Sequence, residues 1–273
     1  MNETPRAILR DDNLHLEFCR FTGMEQPFPN HFHDYYVLGL IEAGTRRLFC
    51  KNRDYIVGPE SLLLFQPGDS HGCTQSGGEA LDYRSVHIPR ETMLSLMEEI
   101  SGERRLPGFS ECVIRDGAAA GYFRRLHELA MSGSREFEKE ETFLILLTLL
   151  LEQYGQDVSP REAAGGGEVE AVCAFIGAHF SEHITLDQLC RCGGFSKSAL
   201  LRAFTREKGV TPYRYLQAVR IGRAKDLLEQ GVPPAEAALR TGFSDQSHFT
   251  RFFTQFIGLP PAAYGRIYRE GNT

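Results

Sequence analysis

Three things are missing from this 273-residue chain: a cysteine framework, a long apolar run and an excess of positive charge. Its seven cysteines are odd in number and scattered, so they do not read as a disulfide scaffold. Cys190 and Cys192 stand as C-x-C, with no second Cys or His pair placed to complete a structural zinc site. Free thiols in a reducing compartment, the cytoplasm, are expected. The opening MNETPRAILRDD carries no apolar run of the secretory kind. The longest apolar stretch, FLILLTLLLEQY at 143–154, is interrupted by Thr148 and is too short for a membrane span. No membrane partner is expected.

A formal net charge of -6 speaks against nucleic acid, but the sum hides an asymmetry. Residues 1–167 hold 17 Lys+Arg against 26 Asp+Glu, a net of -9, whereas residues 168–273 hold 13 against 10, a net of +3. From Ile184 onward the balance is 13 against 7, or +6. The acid lies at the front and the base at the back.

The front reads as strands. Runs at 14–21, 35–44, 45–57, 61–69, 71–75 and 80–88 alternate with period two between glycines and prolines. This pattern suits an antiparallel barrel or sandwich. After Pro89 the period changes: 91–100, 117–133 and 135–155 read as helices, with a last short strand at 112–116. GQDVSPREAAGGG at 155–167 has the composition of a flexible linker. Helices are then expected at 168–180, 185–192, 197–207, 212–230, 234–241, 245–256 and 261–269. The expected domains are 1–160, a linker at 161–167, and 168–273.

The back of the chain repeats itself. LLRAFTREKGVTPYRYLQAVR (200–220) aligns with FTRFFTQFIGLPPAAYGRIYR (249–269), setting Arg202 on Arg251, Phe204 on Phe253 and Gly209 on Gly258. Such a frame marks a duplicated unit. Each copy has the grammar of helix-turn-helix: a short helix, a glycine at the turn, then Ser196 or Asp245 as N-cap of a second helix. Leu186 and Leu189, or Ala237 and Leu239, are the expected inward positions of the short helices. Phe249 and Phe253, like Leu200 and Phe204, lie four apart and anchor the second helix inward. The outward rows are Lys197, Ser198, Leu201 and Arg202, and Gln246, Ser247, Thr250 and Arg251. Any one of these residues alone reads as ordinary solvated surface. Doubled, and on basic helices, the rows suit phosphate and base contacts in two successive major grooves, about 34 Å apart, with helix 212–230 as a rigid spacer.

With these residues in hand, the back resembles the DNA-binding domain of AraC/XylS-family transcription regulators. The resemblance runs through Gly194, Ser196, Leu200, Arg202, Phe204, Gly209, Pro212, Tyr215, Arg220, Ala224, Gly242, Phe243, Phe249, Arg251, Phe253, Gly258 and Pro261. It implies base-edge contacts from Ser198, Leu201, Arg202, Gln246, Ser247, Thr250 and Arg251, and phosphate contacts from Lys197 and Ser244. Cys190, Leu201, His248 and Gly265 depart from the usual pattern, and Leu201 points to apolar contact with a thymine methyl.

The front resembles the cupin-like sensor domains of that family through HFHDYYVLGLIEAG (31–44) and LFQPGDSHG (64–72). The fold class expected is therefore two-domain: an N-terminal all-β cupin-like barrel followed by helices, and a C-terminal all-α double helix-turn-helix. The resemblance implies a small-molecule effector in the barrel. It also implies a homodimer through 117–131 and 136–154, with Phe143, Leu147 and Leu150 at the contact, unless these helices only close the barrel. His31, His33 and His71 suit a divalent metal. The glutamate that metal-binding cupins place after the His pair is absent, with Val37 and Leu38 standing there. A hydrogen-bonding effector pocket of His31, His33, Tyr35 and His71 is the reading preferred, with no cofactor and no metal.

The function expected is a non-catalytic, effector-controlled regulator. Its partners are double-stranded promoter DNA, an effector, a second copy of the chain and, for an activator, RNA polymerase. Two alternatives stay open: a metal-dependent cupin enzyme fused to a DNA-binding module, and a constitutive DNA binder whose barrel only dimerises.

Overall fold

A computed structural model describes residues 6–133, 137–156 and 167–270 of the chain. The expected linker at 161–167 lies outside the described residues except for Gly167. Two compact units are present among the described residues. One takes in 6–27, 34–69, 73–133 and 137–156, and the other takes in 28–33, 70–72 and 167–270.

Strands come first in chain order: β1 (Arg6–Asp11), β2 (Leu16–Met24), β3 (Phe28–His31), β4 (Tyr36–Ala43), β5 (Arg46–Cys50) and β6 (Arg53–Val57). Next are β7 (Leu62–Phe65), β8 (His71–Gln75), β9 (Leu81–Ile88) and helix α1 (Arg90–Ser101). The short strands β10 (Gly108–Phe109) and β11 (Val113–Ile114) lead to α2 (Gly117–Met131), α3 (Phe137–Tyr154) and β12 (Gly155–Gln156).

The main sheet has the order β1-β2-β9-β4-β7-β11, a second has β3-β8-β5-β6, and β10 pairs with β12. The expected all-β cupin-like barrel is therefore not found. The six-stranded sheet ends in β1 on one side and β11 on the other, so it does not close on itself. The first unit is mixed β/α, and the reason lies in where its core sits. Leu16, Phe18, Leu38, Leu40, Leu62, Leu64, Val86 and Ile88 line one face of the sheet. They pack on Met93 and Met97 of α1, Phe123 and Leu126 of α2, and Phe143, Leu146, Leu147 and Leu150 of α3. Helices supply about as much of this core as strands do, whereas a closed barrel buries its apolar side chains inside itself. The period-two pattern reported the strands correctly but carried no information on closure. It also passed over β1, whose charged sequence RAILRD is held by antiparallel pairing with β2.

Charge is buried within this unit and is paired there. Lys139 on α3 forms an ion pair with Asp11, whose carboxylate also accepts from the Asn13 and Leu14 amides at 3.1 and 2.9 Å. Arg46 is almost wholly buried and donates to the carbonyls of Thr45, Glu79 and Met24 at 3.1, 2.9 and 2.5 Å.

The second unit is helical after Gly167: α4 (Glu168–His179), α5 (Leu186–Gly193), α6 (Lys197–Lys208), α7 (Pro212–Glu229), α8 (Pro234–Arg240), α9 (Gln246–Ile257) and α10 (Pro261–Glu270). These bounds fall within one or two residues of the expected helices. Among the described residues no helix is long and apolar enough to cross a membrane.

Candidate nucleic-acid interface and ligand-facing groups

The first helix-turn-helix is assembled from local signals. A capping box opens α5: the Thr185 hydroxyl accepts from the Gln188 amide at 3.3 Å, and the Gln188 side chain accepts from the Thr185 amide at 2.7 Å. The chain turns at Gly194 with φ of 69°, a left-handed conformation that disfavours a Cβ. Ser196 then caps α6 through the Ala199 amide. Leu200 and Phe204 point into a core with Val172, Ile176, Leu189 and Leu216. That burial fixes the rotation of α6, leaving Lys197, Ser198, Leu201 and Arg202 exposed together. Lys197 pairs with Asp187 at 2.8 Å. Both groups are solvated, so the pair is weak and Lys197 is free to exchange its partner for a phosphate.

The second copy repeats the construction with aromatic filling. Gly242 turns with φ of 81°, and a Cβ there would lie 2.7 Å from the Ser181 carbonyl oxygen. Asp245 caps α9 by accepting from the His248 amide at 2.7 Å. Phe249 and Phe253 are fully buried beside Phe243 and Tyr264. Ser244, Gln246, Ser247 and Arg251 are exposed and Thr250 is half-buried. The Arg251 guanidinium lies over the Phe252 ring at 5.7 Å. His248 packs edge-on against Phe252. One expected inward position is corrected: Leu239 is 71% exposed, and Ala237 and Ala238 are the side chains that α8 buries. The small pair lets α8 approach closely, and the helix rotates Leu239 outward.

Helix α7 joins the copies. Leu216 belongs to the first core, and near the other end the Tyr264 hydroxyl donates to Glu229 at 2.7 Å. Arg220 donates from Nε to the Phe180 carbonyl at 2.7 Å and from Nη2 to the Glu182 carbonyl at 2.8 Å. This locks the segment between α4 and α5 onto α7.

Of the four expected effector residues, three belong to the second unit and Tyr35 belongs to the first. His31, His33 and His71 come together, with one ring nitrogen of each within 4.8 Å of the others. Their ring centroids lie 4.5 to 5.2 Å apart. His31 is buried, and burial lowers its pKa to about 4. Its Nδ1 lies 2.7 Å from the Pro29 carbonyl, which can only accept, so Nδ1 carries the proton. Within the first unit, the Tyr35 ring lies 4.9 Å from that of His87.

Around His87 is a polar set that the sequence reading missed. His87 Nδ1 donates to Glu17 at 2.7 Å, and the Ser85 hydroxyl lies 3.3 Å from Nε2. Cys19 Sγ lies 3.9 Å from the same nitrogen. Glu17 and His87 are directly paired residues of β2 and β9. Their side chains lie on the sheet face opposite the one that α2 and α3 cover, because Leu16, Phe18, Val86 and Ile88 take the covered face. A signal was present: in LHLEFCRF and DYRSVHI, a charged or titratable residue stands between two apolar ones in each strand.

Phe143, Leu147 and Leu150 lie inside the first unit, each 1% exposed or less. Their own chain occupies them. The apolar side chains that α2 and α3 present outward are Tyr122, Phe137 and Ile145.

Two stretches of the chain match known protein families. Residues 13–150 match the AraC-like ligand binding domain and residues 189–267 match a helix-turn-helix domain. The HTH-type transcriptional regulator YbfI of Bacillus subtilis (strain 168) is 45% identical over 249 residues, covering 90% of each chain. The HTH-type transcriptional activator RhaS of Klebsiella pneumoniae (strain 342) is 22% identical, over 91% of this chain and 90% of its own. A crystal structure of unsaturated fatty acid-bound ToxT from Vibrio cholerae shares the fold with a TM-score of 0.56. It has 15% identity and covers 92% of this chain and 94% of its own. A front half matching a ligand-binding domain and a back half built as two capped reading helices have one joint meaning: the chain belongs to the AraC family and is a sequence-specific DNA-binding transcription regulator.

Proposed function

We propose that α6 and α9 read successive major grooves on one side of a promoter duplex. Base edges are contacted by Ser198, Leu201 and Arg202 from α6, and by Gln246, Ser247, Thr250 and Arg251 from α9. Lys197 and Ser244 meet phosphates at the helix starts, where amides and the helix dipole favour an anion. The observation that carries this reading is the repeated orientation: in both copies the buried pair four residues apart turns the polar row to solvent. The regulator is divided into a sensor at 1–160, a linker at 161–167 and a DNA-binding domain at 168–273.

A small effector bound by the front of the chain shifts the population of DNA-competent molecules in proportion to its differential affinity for the two states. The Glu17–His87 pair with Ser85 and Tyr35 offers hydrogen-bonding groups for an organic effector. The chain dimerises through the outward side of α2 and α3, where Tyr122 and Ile145 are exposed. It acts at promoters as an activator, as the transcriptional activator RhaS does, with RNA polymerase as its protein partner.

Selection of bound sequences from a random duplex pool by the full chain tests the reading. The expected result is a bipartite site with half-sites about one helical turn apart. Recovery of no preferred sequence at moderate salt would overturn it.

A further inference from the structure

We propose that His31, His33 and His71 hold one divalent transition-metal ion, and that this ion is a second effector, beside the organic one, to which DNA binding responds. The second part rests on the effector-controlled reading above. The first part stands on geometry alone. Strands β3 and β8 are hydrogen-bonded neighbours, and they bring the three rings to one point. The approach is tight by construction: a Cβ at Gly72 would lie 2.8 Å from the Asn30 amide nitrogen and 3.0 Å from its Cα. Glycine at 72 therefore lets His71 sit against His31.

The donor set selects the class of ion. Three imidazoles with one remaining position are the ligand number of an open tetrahedral zinc site. Calcium and magnesium need oxygen donors and are excluded, and imidazole suits zinc, cobalt, nickel, copper and iron. His31 already has the outer hydrogen bond that orients a metal-binding ring, from Nδ1 to the Pro29 carbonyl. With the proton on Nδ1, Nε2 is the ring nitrogen that would bind an ion.

A second, independent observation bears on the fourth position. Nη1 of Arg214 is buried and has no hydrogen-bond partner among the described residues, and its charge acts on His31. An anion completing the metal's shell, hydroxide or chloride, gives that guanidinium a partner. No carboxylate belongs to the trio, so the anion also offsets the ion's charge.

The route to the reading helices lies within the second unit. Phe32, between the two β3-side histidines, stacks on Tyr215 of α7 at 4.6 Å, and the His31 ring lies 5.3 Å from Phe256 of α9. Fixing His31 and His33 on an ion fixes the rings that touch the spacer helix and the second reading helix.

The test uses the full chain, stripped with chelator and titrated with Zn²⁺ and with Co²⁺, whose visible bands report tetrahedral coordination. One ion per chain is expected, with affinity on the order of a hundredfold weaker in His33→Ala. His33 is half-exposed, so this variant should keep its circular dichroism. His71→Gln serves as a second check, and Cys19→Ser should bind as the parent does. Absence of stoichiometric binding overturns the proposal, as does binding retained in His33→Ala and lost in Cys19→Ser. Chloride binding to the trio without metal also overturns it. Selected DNA is then titrated with and without Zn²⁺. A tenfold change in affinity that His33→Ala abolishes supports the ion as effector, and an unchanged affinity overturns that part. Loss of all sequence preference, with or without Zn²⁺, counts instead against the DNA-reading assignment.

Discussion

The two regions of this chain handle charge in opposite ways. The front unit takes charge inside: Asp11 with Lys139, Arg46 among three carbonyls, and Glu17 with His87. Among the described residues of the helical region, Lys225, with Glu229 at 3.4 Å, is the buried ionic side chain, Arg214 and Arg220 are half-buried, and Lys197, Arg202 and Arg251 on the two helices that follow the turns face water. The difference follows from what each region does. A reading surface needs mobile, solvated cations that can trade water and weak partners for phosphate. A ligand-binding domain needs fixed polar groups, and groups are fixed by burial and pairing.

The sharpest way to break this contrast is to remove one member of the buried pair. Lys139→Ala leaves Asp11 charged and unpaired, and the expected loss is about 3–5 kcal/mol in urea unfolding of the front unit. A double variant with Asp11→Asn should recover part of it. A loss below 1 kcal/mol would show that the pair is as dispensable as a surface one.

Acid titration probes the same contrast. His127 is buried, its Nε2 donates to the Cys19 carbonyl at 3.0 Å, and burial lowers its pKa from 6.5 to about 4. The unfolded chain therefore binds the extra proton between these values. The stabilisation is complete above about pH 6.5 and is lost as pH falls toward 4, with about 2 kcal/mol gone by pH 5. Urea midpoints measured at pH 7 and pH 5 should differ accordingly, and His127→Leu should flatten the difference.

On the exposed side, Arg251→Ala should weaken binding to the selected site by about 1–3 kcal/mol if the guanidinium reads a base, with little change on random duplex. Equal losses on both would reassign it to a phosphate. The smallest expected effect is that of the cap. Asp245→Ala should cost about 1 kcal/mol of helical stability, matching Ser196→Ala in the other copy, as read by thermal unfolding.

The same contrast explains what could be read in advance. Helices α4 to α10 were legible because their signals are local: caps at Ser196 and Asp245, turns at Gly194 and Gly242, and apolar pairs four apart. The internal repeat then doubled each signal. Leu239 was misplaced because two alanines beside it took the inward face, which periodicity over seven residues does not resolve. In the front unit the strands were legible and their closure was not. Phe143, Leu147 and Leu150 read as an interface because an apolar helix looks the same whether its own sheet or a second chain covers it.

Amino-acid order by itself determined the helices, their caps, the duplicated reading unit and the acidic-to-basic division, all of which depend on residues within a few turns of each other. Tertiary structure alone decided that the main sheet stays open and that α1 to α3 complete its core. It also brought His31 and His33 together with His71 and set Glu17 against His87. Those outcomes depend on strand register and on pairing between residues tens of positions apart, as with Glu17 and His87, and local spacing carries no record of either.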